Sequence, residues 1–302
     1  MTTHNPFNST FAKGFLNRWV SASSFGLIPL FSIPVLAAGM SLPSMLVYRF
    51  GLGCLGILIV LLFKRVPLGI SLKEGGEILL LATFYDVEAM LMISGYNYMP
   101  SGIATTLVFS YPIWTELLML AFFHERFSRS TLISLALAVG GVALLSGLSG
   151  GTVKPMGVVI ELAAGLSYAF YMVLLPQMRV CRMDALKLTF WVFLFGGALF
   201  AIFSSVFFGG IDGCKDWSMF FNLVMLGIVC TAVSNVSLIP AIRQIGATLA
   251  AILGAFEPLT AMIIGLLVFG DHLTLHTATG FLLVIASVFV IIVAKTAAKA
   301  KA

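Results

Sequence analysis

Two apolar stretches of the chain align with each other without a gap: residues 101–128, SGIATTLVFSYPIWTELLMLAFFHERFS, and residues 247–274, ATLAAILGAFEPLTAMIIGLLVFGDHLT. Pro112 falls on Pro258 in the middle of the two stretches. Glu125 falls on Asp271 at their ends. A mid-span proline and a span-end acid that coincide at one offset indicate an internal duplication rather than a chance match between apolar sequences.

The composition of the chain is that of a membrane protein. Of 302 residues, 60% are hydrophobic and 10% are charged, and the mean hydropathy is +1.08. Soluble domains carry about 25% charged residues, so this chain has too few charges to cover a water-facing surface. Ten crossings of about 20 residues each would use about 200 residues. The residues that remain for loops and tails are too few for a large soluble catalytic or nucleic-acid-binding domain. We therefore attribute the net charge of +5 to the basic residues that orient a membrane protein.

The apolar runs predict an all-α integral membrane protein with ten transmembrane helices. They lie at about 19–39, 43–63, 77–98, 101–123, 131–148, 157–178, 188–208, 219–241, 246–269 and 276–294. Pro29 and Pro34 should kink the first span.

The duplication divides these spans into two five-helix repeats, residues 19–150 and 151–294, between an N-terminal tail (1–18) and a basic C-terminal tail (295–302). A second match, of Ser24-Phe25-Gly26 with Ser167-Tyr168-Ala169, pairs the first and sixth spans. Because five is odd, the second repeat enters the membrane upside down. Inverted repeats of this kind are typical of alternating-access transporters.

The distribution of lysine and arginine predicts the orientation. With the N-terminus inside, the inner tails and loops hold fourteen such residues, the outer loops hold only Lys154 and Lys215, and Arg49 lies within a span. This asymmetry places both termini in the cytoplasm, in an inner or plasma membrane. The polar N-terminus followed by many spans indicates a retained first span rather than a cleaved signal peptide.

No catalytic, metal or cofactor motif is present in the sequence. The four cysteines form no CxxC pair, and the four histidines form no HExxH pattern. No phosphate-binding GxxxxGK[ST] loop occurs. We therefore expect no metal, no cofactor and no enzyme activity, and energy from an ion or solute gradient.

Several short motifs follow one another along the chain: Tyr48-Arg49-Phe50, the run GYNYMPSGIA at 95–104, Tyr111-Pro112, Glu125-Arg126-Phe127-Ser128, Gly140-Gly141-Val142, Glu257-Pro258 and Gly270-Asp271. Their order and spacing resemble those of an EamA-type member of the drug/metabolite transporter superfamily. The sequence has Asp271 where many relatives carry glutamate. The resemblance covers essentially the whole chain. It implies ten helices around a central cavity, with spans five and ten peripheral, and export or exchange of small metabolites.

Two acids near the middle of the third span are candidates for the coupling or substrate site. Asp86 and Glu88 lie two residues apart, which is about 200° of rotation on a helix. They cannot point the same way, and we expect Glu88 at a cavity and Asp86 against a neighbouring helix. Charges at membrane depth are costly and usually face protein or water. The functional interpretation is a proton or cation site, and the alternative is a carboxyl group that fixes helix packing.

Arg49 lies about six residues, or about 9 Å, below the outer end of the second span. It either snorkels to the interface or makes a structural ion pair. The functional alternatives are a pair with Glu88 or Asp86 that opens during transport, and a clamp on an anionic group of the substrate.

The fourth span carries a stripe of side chains at helical spacing. Thr105, Phe109, Pro112 and Glu116 follow each other by four, three and four residues, which places them on one face. We expect this face to line the cavity. Pro112 leaves a backbone carbonyl one turn earlier without its helical partner, available to substrate, threonine or water. The alternative is a packed kink.

Candidates in the second half follow the same reasoning. Pro258, like Pro112, leaves a backbone carbonyl one turn earlier without its helical partner. Glu257 beside it lies at the midplane. Asn235 belongs to a polar strip on the eighth span, and Tyr168 lies on the sixth. Polar groups at this depth often only join helices. Glu161 lies near the outer end of the sixth span, where we expect it to reach interfacial water.

The charge balance within the spans predicts the class of substrate. The predicted spans contain one basic residue, Arg49, and five acidic residues, Asp86, Glu88, Glu116, Glu161 and Glu257. This balance favours protons, amines or amino-acid zwitterions. The leading hypothesis is a secondary active transporter that exports an amino acid or amine, with proton coupling.

Two alternative functions stay open. An exchanger of nucleotide-linked or phosphorylated sugars is disfavoured because phosphate binding usually needs several basic residues. The other alternative is a non-transporting scaffold or lipid-handling protein.

The second span also carries three small residues, Gly51, Gly53 and Gly56. We expect them to pack helices within one chain or between two chains of a homodimer.

Overall fold

A computed structural model describes residues 9–98, 101–123, 129–146 and 154–268, and isolated residues between 275 and 293. Every regular element within these residues is helical. The α-helices are α1 (Ser9–Phe25), α2 (Ile28–Ala37), α3 (Leu42–Phe63), α4 (Leu72–Gly95), α5 (Ser101–Val108), α6 (Tyr111–Phe123), α7 (Arg129–Ser146), α8 (Pro155–Leu174), α9 (Ala185–Phe207), α10 (Trp217–Gly227), α11 (Ser234–Ile245), α12 (Ala247–Leu253) and α13 (Phe256–Val268). Two 3₁₀ turns, Leu175–Gln177 and Arg179–Arg182, follow α8, and a π-helical segment, Ile228–Val233, joins α10 to α11.

Six helical segments are long and apolar enough to cross a bilayer. They are Thr10–Ala37, Leu42–Phe63, Leu72–Gly95, Pro155–Gln177, Ala185–Phe207 and Trp217–Ile245. Shorter apolar helices occur at Arg129–Gly141, Ala247–Ala261 and Ala278–Ser287. The chain is therefore an all-α, multi-pass membrane protein, and the count of ten spans stays a prediction.

The first span begins earlier than the sequence predicted. Helix α1 starts at Ser9 rather than near residue 19, because the helical stretch includes the polar residues before the apolar run. It ends at Phe25, and α2 begins at Ile28 with Pro29 in its first turn. The break thus lies directly before Pro29, as the prolines predicted, while Pro34 stays inside α2.

The fourth and ninth predicted spans are each divided into two short helices. Helix α5 ends at Val108 and α6 begins at Tyr111. Helix α12 ends at Leu253 and α13 begins at Phe256. A proline follows each break within the first turn of the second helix, where its missing N–H would have no helical partner. The aligned stretches 101–128 and 247–274 therefore break at equivalent positions to within one residue.

The third span also begins earlier than predicted, at Leu72, because a capping box fixes its start. The Ser71 hydroxyl accepts a hydrogen bond from the Glu74 backbone N–H at 3.3 Å. The Glu74 carboxylate accepts one from the Ser71 backbone N–H at 2.7 Å. The S-x-x-E pattern was visible in the sequence, but its polar residues lie before the apolar run from which the span was read.

The helix pairs packed between the two halves of the chain come in matching sets. Helix α1 packs on α11 as α8 packs on α4, and α1 packs on α13 as α8 packs on α6. Helix α3 packs on α10 as α9 packs on α4, and α3 packs directly on α9. An aromatic cluster of Phe50, Tyr85 and Phe193 fills the space between α3, α4 and α9. These contacts bring broken and unbroken helices from both halves around one centre.

The connection between α9 and α10 is fastened to the start of α3. The Asp212 carboxylate accepts a hydrogen bond from the Ser41 backbone N–H at 2.7 Å, and the Lys215 ammonium donates to the Ala38 carbonyl at 2.6 Å. Hydrogen bonds from the Ser41 side chain and backbone hold the pKa of Asp212 below its usual value. The contact therefore persists at neutral pH and weakens only as the pH falls through that lowered pKa.

Two neighbouring glycines of α3 provide a test of this packing. A Cβ atom at Gly53 would lie 2.9 Å from the Gly227 carbonyl oxygen, whereas a Cβ atom at Gly51 would meet no atom within 4 Å. We expect Gly53→Ala to lower the free energy of unfolding by about 1–3 kcal/mol, because backbone must move. Gly51→Ala should leave stability unchanged or raise it by up to about 1 kcal/mol through helix propensity. Thermal unfolding of the purified variants measures both, and equal effects would contradict this packing.

Candidate functional site

A small buried cavity lies where the broken helices meet α4 and α8. Its volume is about 10 Å³, enough for about one water molecule. The lining residues come from seven helices and are Phe25, Ile28, Glu88, Val108, Tyr111, Tyr168 and Glu257. Two carboxyl groups and two phenols thus meet at one small space.

Four of the lining residues are pairs that the internal repeat relates. Phe25 aligns with Tyr168 in the match of the first and sixth spans, and Tyr111 aligns with Glu257 in the match of the fourth and ninth. The rings of Phe25 and Tyr168 pack edge to face with centroids 6.4 Å apart. Each half of the chain therefore supplies equivalent positions to the same cavity.

Arg18 is the residue that joins the broken helices beside this cavity. Its side chain is completely buried. Its Nε donates to the Ala250 carbonyl at 2.6 Å, and an Nη donates to the Tyr111 hydroxyl at 2.8 Å. The other Nη donates to the Ser21 hydroxyl at 3.1 Å. A Cβ atom at Gly254 would occupy the space of the Tyr111 hydroxyl and the Arg18 guanidinium, so the break after α12 needs a glycine there.

The apolar pattern of the sequence did not reveal Arg18 and assigned it to the cytoplasmic tail. The apolar run starts after it, and only the structure shows that α1 begins nine residues earlier, at Ser9. A signal was present: Arg18, Ser21 and Ser24 recur at helical spacing and are all buried. Among the described residues, two arginines are therefore buried rather than the one expected, and the loop charge count becomes thirteen against two.

Arg49 is buried within the protein and does not snorkel. Only 1% of its surface is exposed, and its Nε donates to the Thr231 hydroxyl at 2.7 Å. Thr231 in turn donates to the Leu226 carbonyl in the helix before the π-helical segment. The Nη1 atom of Arg49 has no hydrogen-bond partner among the described residues. A guanidinium edge thus remains available to an acceptor.

Asn235 extends this polar network to α4. Its side-chain amide donates to the Tyr85 hydroxyl at 2.7 Å and to the Thr231 carbonyl at 3.0 Å. The π-helical segment, an uncommon element often found at functional sites, widens the turn that presents Thr231. Asn235 thus lies in the network around Arg49, while the cavity itself is lined by Tyr168.

The charges around the cavity compensate one another. Electrostatic interaction couples Arg49 to Glu88 and to Glu257, and it couples Arg18 to Glu257. Glu88 and Glu257 also repel each other. Two acids and two guanidinium groups are therefore arranged so that removal of either arginine would leave a buried carboxylate with less compensation.

Asp86 and Glu88 lie on different sides of α4. Glu88 lines the central cavity. Asp86 faces α9, where its carboxyl oxygens occupy the space that a Cβ atom at Gly196 would need. The two acids of the third span therefore belong to separate environments.

The polar stripe predicted on the fourth span does not form one cavity-lining face. Thr105 and Phe109 are buried, but the lining residues from this region are Val108 and Tyr111. The break at 109–110 interrupts the regular rotation of 100° per residue, so spacing cannot be carried across it. Pro112 is buried in the first turn of α6, and the side chain of Glu116 lies outside the described part of the structure.

Glu161 is also placed differently from the prediction. It is completely buried rather than at the interface, and it packs against Gly95 at the end of α4. Pro258 is buried in the first turn of α13, next to Glu257. The predicted span-end acids Glu125 and Asp271 fall outside the described residues. Among the described residues, no group of three His, Cys, Asp or Glu side chains could hold a metal ion.

Comparison with protein families identifies the class of the molecule. The model of the EamA-like transporter family matches twice, at residues 13–147 and 155–293. The chain belongs to the EamA-like transporter family. Both matches include the broken helices at the cavity, and the second begins at the start of α8.

Curated relatives of this family member are named as transporters. It is 27% identical to an uncharacterized transporter of Archaeoglobus fulgidus over 78% of this chain and 82% of the relative. It is also 27% identical to the uncharacterized transporter YvbV of Bacillus subtilis over 70% of this chain and 74% of the relative. A match of 20% identity to YoaV of the same organism covers 80% of this chain and 84% of the relative.

A solved crystal structure of another protein shares the fold. It superposes with a TM-score of 0.77 at 16% sequence identity and covers 93% of this EamA-like chain and 96% of its own. At this identity the likeness shows the fold alone.

The role of Arg18 is tested by comparing two basic residues of α1. Arg18→Ala removes three buried hydrogen bonds and the charge that compensates Glu257, so we expect a loss of about 3 kcal/mol in unfolding free energy. Lys13→Ala, at an exposed position of the same helix, should change it by less than about 0.5 kcal/mol. Thermal unfolding in detergent measures both. If Arg18 belonged to a solvated tail, the two variants would behave alike.

Proposed function

We propose that this chain is a secondary active transporter that exports an amino acid or a related amine by alternating access. The observation that carries the proposal is the meeting of Glu88 and Glu257, one from each half of the chain, at a single buried cavity. Carboxylates bind an ammonium group, and the free Nη1 of Arg49 in the adjoining network can donate to a carboxylate. Together these groups complement a zwitterion.

The repeated packing supports ten spans arranged as two inverted five-helix repeats, 19–150 and 151–294. The matched helix pairs and the paired cavity positions are what a pseudo-two-fold relation between the halves would produce. Such a relation lets one arrangement of the halves open inward and its symmetry-related counterpart open outward around a fixed site. The excess of basic residues in the loops predicted to lie inside favours cytoplasmic termini in an inner or plasma membrane.

Proton coupling follows from competition at one carboxyl group. In the inward-open form, Glu88 is ionised and binds the ammonium of the solute. In the outward-open form, a proton from outside displaces that ammonium and stays on Glu88. The return to the inward-open form then releases the proton into the cytoplasm. One carboxyl group thus exchanges one proton for one solute and couples export to the proton gradient.

A neutral variant of Glu88 tests the coupling. Glu88→Gln keeps the size and hydrogen-bonding capacity of the side chain but cannot release a proton. We expect it to reduce pH-gradient-driven transport of radiolabelled amino acids by reconstituted vesicles to the level of protein-free vesicles. Glu74→Gln is the matched control, because Glu74 lies on the same helix in the exposed capping box. Unchanged gradient-driven transport by folded Glu88→Gln would exclude this role.

A ligand screen tests the class of substrate. Binding to the folded state raises stability by about 2.7 kcal/mol at a ligand concentration one hundred times the dissociation constant. We expect amino acids or amines, rather than nucleobases or sugar phosphates, to raise the thermal unfolding temperature. Arg49→Gln should lose the response to amino acids but keep a response to simple amines, because it removes the contact to the carboxylate of the solute while Glu88 and Glu257 stay in place to bind the ammonium. Stabilisation by sugar phosphates would instead favour an exchanger, and no response from any class would favour a scaffold or lipid-handling role.

A further inference from the structure

A groove on the outside of the helix bundle lies between α4 and α9, away from the central cavity. Its volume is about 380 Å³, within the range of about 300–1,000 Å³ that small-molecule sites occupy. Its walls include Val87, Met90, Leu199, Phe200 and Phe203. Among the described residues that line it, Asp86 is the one acid.

Asp86 is an unsatisfied acid at this groove. Its side chain is 6% exposed, and neither carboxyl oxygen has a hydrogen-bond partner among the described residues. Arg49 and Glu88 act on it electrostatically, but the Nε of Arg49 is bound to Thr231. A buried carboxyl group without a partner is costly. A ligand that brings a hydrogen-bond donor or a positive charge would therefore gain a strong contact there.

The groove opens toward the hydrocarbon region of the membrane. Val87, Leu199 and Phe203 are exposed on the surface of the bundle, between 36% and 42% of their area. Asp86 lies about 21 Å from the start and about 14 Å from the end of α4, at 1.5 Å per residue. This depth is near the middle of a hydrocarbon core of about 30 Å. A molecule that reaches Asp86 by this route must first dissolve in the bilayer.

We propose that the groove binds a hydrophobic amine that enters from the membrane. Its ammonium group lies on the Asp86 carboxylate, and its apolar part packs against the walls of the groove. The aromatic rings of Phe200 and Phe203 favour such a ligand, because a cation is attracted to the face of an aromatic ring.

A phospholipid does not fit these observations as well. Its polar headgroup stays at the membrane interface, so only an acyl chain could reach the depth of Asp86 and would leave the carboxyl group unpaired. The site differs from the central cavity, since Asp86 and Glu88 lie on different sides of α4. The inference therefore does not depend on the proposed transport of amino acids.

Photolabelling of the full chain in phosphatidylcholine nanodiscs tests this site. The probe is an octylamine that carries a diazirine, and its neutral counterpart is the diazirine-bearing octanol of the same length. After irradiation, mass spectrometry locates the labelled peptides. We expect the amine to label residues 83–91 and 199–203 about tenfold more than the alcohol, which is the gain expected from one charged hydrogen bond.

Three variants distinguish binding at Asp86 from nonspecific insertion of the probe into the apolar groove and from binding at the central cavity. Asp86→Asn should reduce labelling by the amine to the level of the alcohol. Leu199→Trp should reduce it by filling the groove with Asp86 still present, at a position on the surface of the bundle. Glu257→Gln, which changes the other acid of the central cavity, should leave it unchanged. Equal labelling by amine and alcohol, amine labelling that survives Asp86→Asn, or labelling lost in Glu257→Gln would each overturn the proposal.

Discussion

The hydrogen bonds of the buried Arg18 guanidinium hold together the centre of this protein. A bilayer offers no water to the ends of broken helices, so their polar groups need partners inside the protein. Arg18 reaches from the first span to the Ala250 carbonyl in the ninth and to the Tyr111 hydroxyl at the break in the fourth. One side chain thus connects three spans that are each broken near the cavity. Gly254 makes the close approach possible because it has no side chain in that space.

The charges of the site depend on the same arrangement. Arg18 and Arg49 stand on different helices, and both act on the Glu257 carboxyl group. Neither guanidinium is shielded by water, because both are almost completely buried. This balance explains how one buried cavity can hold two acids.

Helix α4 places two acids, two residues apart, in different environments. Glu88 contributes to the cavity shared by both halves, and Asp86 contributes to the groove between α4 and α9. Side chains two positions apart on a helix point in directions about 200° apart, so two nearby acids of one span can lie in different environments. Arg49 acts electrostatically on both acids, but Asp86 lacks a hydrogen-bond partner among the described residues. Their chemistry differs because their neighbours differ, not because their residue types do.

The sequence alone determined the membrane class, the internal duplication, the family resemblance and the proline breaks, because these depend on composition and local backbone chemistry. It also indicated that Asp86 and Glu88 diverge, since helical rotation is a local property. It could not place Arg18, because the start of α1 is set by burial against α11, α12 and α13 rather than by an apolar run. It could not place the stripe of the fourth span around one cavity, because the break at 109–110 resets the rotation of the helix. Which residues meet at the cavity was decided only by the tertiary structure, since contacts between distant spans depend on packing that no single helix encodes.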